Sequence, residues 1–366
     1  MKTVITFISI LITNLLFSQP NEYSTQVIGV NAYIKFPAGI SLPGAQIFTS
    51  EGCASICDAA GNLLFYSDGI KVWNRNHIQM PNGFGLTGDA STSQSCIIVK
   101  VPNSVNLYYL IVAPETSDIG TVTYNVVDIN ANSGLGDVVL KNQNLPIAYQ
   151  AAEKLTFAYH CNRRDIWIVT KDRSNNAFRS WLLTPTGLTA WTFSLTTYVL
   201  TGNMADNIGC MQISPDGSKL VICHYGTGRV YLYDFNNQTG VIDNERLLSS
   251  TFAGPYGCEF SENSRYVYVG YNSGANIHSY DTNNATPAST RVSIAFNVGM
   301  FVGSFERIGN IIYIAQRGTT FLDAITNADN GGVFNQNYLA TTNTINFGLN
   351  QVLYPDITPL PIIMTD

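Results

Sequence analysis

Four glutamates, Glu51, Glu153, Glu259 and Glu306, are the side chains best placed for acid–base chemistry, since each stands in or beside an apolar, strand-like run. Two carboxyls at a set separation cleave glycosides, and an activated water opens a lactone. Spacing alone leaves open whether four groups so distant in sequence converge. Trp73, Arg75 and His77 offer a different chemistry, an aromatic and cationic patch suited to contact with a glycan or peptide. The competing expectation is that Trp73 packs in the interior at a strand end. Asp128-Ile129-Asn130-Ala131-Asn132-Ser133-Gly134 has the oxygen-rich alternation of a calcium loop, yet Ser133 stands where the sharp-turn glycine belongs and Val139 where a bidentate Glu would close the site. That stretch, and Asn327-Ala328-Asp329-Asn330-Gly331-Gly332 with it, is read as a turn. The four histidines, His77, His160, His224 and His278, show no metal-ligand spacing. No Gly-x-Ser-x-Gly nucleophile turn or phosphate-cradling glycine loop is present. No metal and no cofactor are expected.

Bulk properties narrow the partners. The 366 residues carry a net charge of -6, with 12 % charged and 45 % hydrophobic residues, and include 20 Tyr and 18 Phe. This balance suits a β-rich, buried structure and opposes disorder. Nineteen Lys and Arg spread thinly provide no basic stripe for phosphates, so nucleic acid is excluded as a partner. Lys2 followed by the apolar Val4 to Phe17 and the small Ser18 reads as a secretory leader, residues 1–18, cleaved near Ser18. No later run is long enough to span a bilayer. The mature chain is expected to be monomeric, secreted or at the cell surface, without membrane insertion. Of seven cysteines only Cys53 and Cys57 are close in sequence, and export would allow a bridge. Their apolar strand contexts favour small buried hydrophobes.

The elements that must position these groups are repeated strands. Ser214-Pro215-Asp216-Gly217-Ser218-Lys219-Leu220-Val221-Ile222, then Tyr231-Leu232-Tyr233-Asp234, recurs as Ser261 to Val269, then His278-Ser279-Tyr280-Asp281, a 47-residue step in both parts. Further copies begin at Leu63, Leu107, Ile166 and Ile311, each after a polar turn. A period near fifty residues with strands inside it predicts a β-propeller, an all-β ring of four-stranded antiparallel blades. Six copies are visible. Val27 to Phe36 and Thr344 to Tyr354 are strand-like but too short to stand alone, so N- and C-terminal strands together are expected to make a seventh blade and close the ring. The propeller is assigned to 19–354 and a linker to 355–366.

Aligning the repeats places Gln212 opposite Glu259, each between apolar neighbours, and directs both into the central channel from adjacent blades, with Glu153 from an earlier one. A merely wet channel is the competing expectation. His160 aligns with Ser214 and Ser261, and its role is to bond the following turn. Ser67-Asp68-Gly69 before Trp73 faintly resembles the Asp-box turn of sialidase-type propellers, but the spacing departs from that motif, and Asp68 is read as capping its own turn.

The blocks Glu51 to Gly69, Val72 to His77 and Met80-Pro81-Asn82-Gly83 resemble the N-terminal propeller of the gliding-motility-associated surface proteins exported by the type IX secretion system. Ser93-Gln94-Ser95, Gly134 to Val138, Glu153-Lys154-Leu155-Thr156 and the Ser214 to Leu220 turn follow in the family's order, so that the resemblance covers about Gly29 to Tyr354. It implies an exported protein whose propeller recognises a partner. Members commonly continue into immunoglobulin-like modules and a C-terminal sorting domain. This chain departs from that pattern, ending at Asp366 where the linker begins.

Three functions follow. The leading expectation is an extracellular binding or adhesion module, not an enzyme, that meets a glycan, peptide or protein through propeller loops, at Trp73, Arg75, His77, Gln212, Glu259 and Glu153. The alternatives are a propeller hydrolase, lactonase-like or glycan-cleaving, with a metal or carboxylates at the channel mouth, and a scaffold within a larger surface protein.

Overall fold

The computed structural model describes residues 21–351 except 118–119, 147–148, 174, 199–202, 252, 273 and 298–300. The expected leader 1–18 with its cleavage point, and the linker 355–366, lie outside the described residues.

Runs of Val, Ile, Tyr and Phe punctuated by Gly, Asn and Asp form short strands that reverse tightly, and the chain winds them into seven antiparallel sheets. Blade 1 is Thr25–Ile28, Ala32–Lys35 and Ile40–Leu42, and blade 2 is Ala54–Cys57, Leu63–Ser67 and Val72–Asn74. Blade 3 is Cys96–Lys100, Leu107–Val112, Thr123–Asp128 and Asp137–Asn144; blade 4 is Ala151–Tyr159, Ile166–Asp172, Ala177–Thr184 and Gly187–Leu195. Blade 5 is Met211–Ile213, Lys219–His224, Arg229–Phe235 and Ile242–Ser249; blade 6 is Pro255–Phe260, Tyr266–Tyr271, Asn276–Asp281 and Val292–Ala295. Blade 7 is Val302–Ile308, Ile311–Gln316, Thr319–Thr326 and Val333–Ile345. In blades 2 to 7 the first strand is innermost. Its starting end and its finishing end define an entry face and an exit face of the ring.

The repeat seen in sequence is also a repeat of hydrogen bonds. Leu220 pairs with Tyr233 and Val267 with Tyr280. Lys219 donates its amide to Ser214 Oγ at 2.9 Å, and Tyr266 does the same to Ser261 Oγ at 2.9 Å. His160 replaces the serine in blade 4, its Nδ1 accepting the Asn162 amide at 3.1 Å. The hydrophobic core is divided among the spaces between blades: Trp167, Ile213, Leu220 and Tyr233 fill the space between blades 4 and 5, and Cys223, Phe260 and Val269 that between 5 and 6. A blade covered on both faces shows little polar alternation, which is why Met211–Ile213 and Pro255–Phe260 are buried throughout.

Closure uses both chain ends. Thr25 Oγ1 donates to the Gly61 carbonyl at 2.9 Å, which sets the start of blade 1 at the exit face, so its first described strand runs opposite to the inner strands of the other blades. The innermost position of that blade is taken by residues 346–351. Ser304 N donates to Phe347 O at 2.6 Å and Phe347 N to Ser50 O at 3.0 Å. Further in, the Asn350 amide bonds Ser55 Oγ and Gln351 Nε2 reaches the Leu155 carbonyl of blade 4 at 2.6 Å. Sequence reading expected a regular strand over Thr344 to Tyr354; instead Thr344 and Ile345 finish blade 7 and the described remainder is extended chain without a ladder. Gly348 makes this fit possible, because a Cβ there would lie 1.7 Å from the Glu51 carbonyl oxygen.

All seven cysteines are free thiols. Cys53 and Cys57 lie four residues apart on an extended run, a separation of about 13 Å, too far for a bridge. Among the described residues no helix is long and apolar enough to cross a membrane.

Candidate functional site at the entry face

Where the inner strands begin, three carboxyls gather: Glu51 just before blade 2, Glu115 after the second strand of blade 3, and Glu153 near the start of blade 4. Glu153 is buried and held on both oxygens. Its Oε2 accepts from the Ser93 amide at 2.9 Å and the Ser93 hydroxyl at 2.8 Å, and its Oε1 accepts from the Thr116 amide at 2.8 Å. Burial raises its pKa, and these donors oppose the rise. Glu51 is only half-buried, but its Oε2 has no hydrogen-bond partner. Burial first, and the Glu153 carboxylate second, push Glu51 up to about 8, against the hydroxyls of Tyr256 and Ser93, which stand close enough to lower it. Lys154, the next residue on the strand, turns away from Glu153 and donates Nζ to the carbonyls of Ile208 at 2.7 Å and Gly209 at 2.9 Å. Its burial lowers the ammonium to about 8. A half-buried carboxyl with one free oxygen, a locked carboxylate beside it and two hydroxyls is an arrangement able to exchange a proton near neutral pH.

The exit half of the same strands brings together the other pair. Gln212 and Glu259 meet as expected, Gln212 Nε2 donating to Glu259 Oε2 at 3.2 Å, and both line the central cavity. Gln26 of blade 1 bonds Glu306 of blade 7. Burial raises the Glu306 pKa well above the ordinary carboxylate value, with Glu259 adding to it. The central cavity is only about 10 Å³, the room of a single water. Asn350 and Gln351 line it, and Gln94 crosses beside it to bond the Met211 amide and carbonyl, each at 2.9 Å. The channel expected to receive a ligand is therefore filled by the chain itself. Glu153 does not join Gln212 and Glu259 there, since it lies toward the entry face under Ser93.

Trp73, Arg75 and His77 do not make one exposed patch. Trp73 is buried and stacks on Tyr66 with ring centroids 5.3 Å apart, because the two residues are cross-strand partners in blade 2. Only Arg75 is exposed, its Nη1 donating to the Gly134 carbonyl at 2.6 Å. His77 packs edge-on against Tyr33 and lies 3.3 Å from the Tyr66 hydroxyl. Asp68 caps its own turn by accepting from the amides of Ile70 at 2.8 Å and Lys71 at 2.7 Å. Asp128 accepts from the amides of Asn130 and the Asn106 side chain, and Asp329 from the Asn263 amide, so both oxygen-rich stretches serve turns. Among the described residues no three His, Cys, Asp or Glu side chains are grouped to hold a metal.

Sequence reasoning missed Ser93, Gln94, Asn350 and Gln351 as braces of the channel. The block Ser93-Gln94-Ser95 was a signal for the first two, since polar side chains between strand runs at an inner-strand start have few places to go but across the axis.

Residues 205–326 match a family described as lactonase, seven-bladed β-propeller, a stretch covering blades 5 and 6 and the first three strands of blade 7. No curated protein matches in sequence. Among solved structures, a candidate 6-phosphogluconolactonase from Bacteroides uniformis aligns with TM-score 0.53 at 10 % identity, covering 86 % of this chain and 92 % of that one. A functionally unknown protein from Desulfotomaculum acetoxidans aligns with TM-score 0.45 at 14 % identity over 80 % of this chain and 78 % of that one. Kuenenia stuttgartiensis hydrazine synthase aligns with TM-score 0.48 at 13 % identity over 86 % and 93 %. The chain is a seven-bladed β-propeller with a lactonase-like stretch over residues 205–326.

Proposed function

We propose that the chain is a hydrolase of cyclic esters, with Glu51 as its proton acceptor at the entry face. The observation behind this reading is the gathering of Glu51, Glu115 and Glu153 beside the hydroxyls of Ser93 and Tyr256, where Glu51 keeps a buried oxygen without a hydrogen-bond partner. The lactonase match over 205–326 supports the same reaction class. In the proposed step, water adds to the lactone carbonyl carbon while the Glu51 carboxylate takes one of its protons. The Tyr256 hydroxyl donates to the developing oxyanion. Collapse breaks the ring C–O bond, the ring oxygen receives the proton from Glu51, and a hydroxy acid leaves. Lactone and water account for every atom of the product.

Because Glu51 must be ionised to act, the rate should climb with pH to a plateau above about 8. The test is pH-stat hydrolysis of a sugar δ-lactone by the wild type and Glu51→Gln. Loss of about 10²- to 10⁴-fold in Glu51→Gln supports the assignment; a rate no greater than spontaneous opening sinks it.

A second reading is an exported recognition module, with surface display by a type IX route as its finer form. The leader-like residues 1–18 and a cavity of about 300 Å³ at the exit face favour it. Mass spectrometry of protein from medium and cell surface tests export: a species beginning at Gln19 supports it, and a cell-retained chain beginning at Met1 rules it out.

A further inference from the structure

A strand at the edge of a sheet leaves a row of amides and carbonyls that another chain can pair with, so proteins guard such edges with charges, bulges or brevity. The outermost strands of six blades are guarded in this way. Those of blades 1, 2 and 6 run for only three or four residues, at Ile40–Leu42, Val72–Asn74 and Val292–Ala295. Those of blades 3, 5 and 7 are broken by register shifts, and each carries an asparagine in the left-handed region, Asn142 at φ +54°, Asn244 at +51° and Asn337 at +53°.

Blade 4 lacks these devices. Its outer strand Gly187–Leu195 has nine residues, none charged and none proline, and its ladder is regular from Trp191 to Leu195 after one shift nearer its start. Among the described residues, the backbone of Trp191 to Leu195 bonds no segment but the neighbouring strand Ala177–Thr184. Thr192 and Ser194 face blade 5, where Thr192 Oγ1 donates to the Thr239 carbonyl at 2.7 Å and Ser194 Oγ accepts from the Ile242 amide at 2.9 Å. Alternation sends Trp191, Phe193 and Leu195 to the other face, where they are 41, 44 and 64 % exposed. The guanidinium of Arg179 lies 5.9 Å from the Trp191 ring and 5.2 Å from that of Phe193, and is itself matched by Asp172 at 2.8 and 3.0 Å. Rings held in place beside an open, uncharged edge lose little freedom on association.

We propose that this edge pairs with the same edge of a second copy, antiparallel about a two-fold axis at Phe193, so that the chain expected to be a monomer is a homodimer. The strand is its own complement. Being uncharged, it sets no like charges against each other, and pairing centred on Phe193 puts Phe193 against Phe193 and Trp191 against Leu195 on one face. Moving the centre by one residue either way leaves Leu195 facing Thr189 or Trp191 facing Thr197. Leu140 and Leu247, exposed on the flanking outer strands of blades 3 and 5, widen the apolar rim beyond the strand itself. Because the pairing consumes the one unguarded edge of each copy, assembly closes at two.

The test is sedimentation equilibrium of the full chain. Twice the mass of one chain is expected for the wild type, with deuterium uptake over Gly187–Leu195 falling as protein concentration rises. Phe193→Glu sets two carboxylates against each other at the axis, and Leu195→Lys blunts the edge with a charge. Each should raise the dissociation constant of the dimer by about 30-fold or more. Val333→Glu, at an exposed position on the outer strand of blade 7, should leave it unchanged. Thermal melts establish that each variant is folded. A wild type that stays monomeric up to millimolar concentration, larger open-ended polymers, deuterium uptake over the strand that ignores concentration, or an unaltered dimer in the folded variants would overturn the proposal.

Discussion

Entry and exit halves of the inner strands hold the same kinds of side chain in opposite states. At the entry face Glu51 is half-buried with a free oxygen, and beside it Glu153 is locked by two amides and a hydroxyl. In the exit half Glu259 and Glu306 are fully buried and answered by the amides of Gln212 and Gln26. A carboxyl enclosed by amide partners with no room for a second molecule is a structural clasp between blades. One with an unanswered oxygen at a partly open face can exchange protons. Residue type is thus a poor guide to chemistry in this ring, and depth along the axis is a good one.

The largest break in that comparison should come from Gly348, whose backbone rests on Glu51. Gly348→Val forces the closing segment off blade 2, and a loss of about 3 kcal/mol or more is expected in denaturant unfolding; an unchanged midpoint would mean that residues 346–351 do not hold the ring. Next, Gln26→Leu strips Glu306 of its amide in the exit half, at a cost of about 1–3 kcal/mol, while lactone hydrolysis should be untouched. The two halves then separate by pH. Glu51 is raised to about 8 in the folded chain from an ordinary 4.5, so the native state binds the extra proton and stability is lost as pH rises through that window. Melting temperature should fall from pH 5 to 8, and Glu51→Gln should flatten the part of the slope that belongs to this group. An identical slope in both proteins would contradict the assigned shift. The smallest effect is expected from exposed Arg75→Ala, within about 0.5 kcal/mol in unfolding.

Much of this was legible beforehand. The 47-residue step located blades 5 and 6 and the Ser214 and Ser261 turns, because each repeat is a local unit whose turn bonds its own strands. The pairing of Gln212 with Glu259 could be read for the same reason: equivalent positions on neighbouring inner strands point the same way. Trp73 could not be placed, since its burial depends on Tyr66 across the strand and on blade 1 behind it. Nor could the exit-face cavity, which takes its walls from Glu22, Lys100, Tyr159 and Arg163, segments far apart along the chain.

By itself the sequence determined the repeat, favoured seven blades over six and pointed to both ends closing the ring, because apolar period, turn residues and blade length act within fifty residues at a time. Tertiary structure alone decided that residues 346–351 fill the axis, that Glu51 rather than Glu153 keeps a free oxygen, and that Arg163 faces a cavity. Those outcomes follow from long-range packing and burial, where the partner that answers a charge comes from another blade.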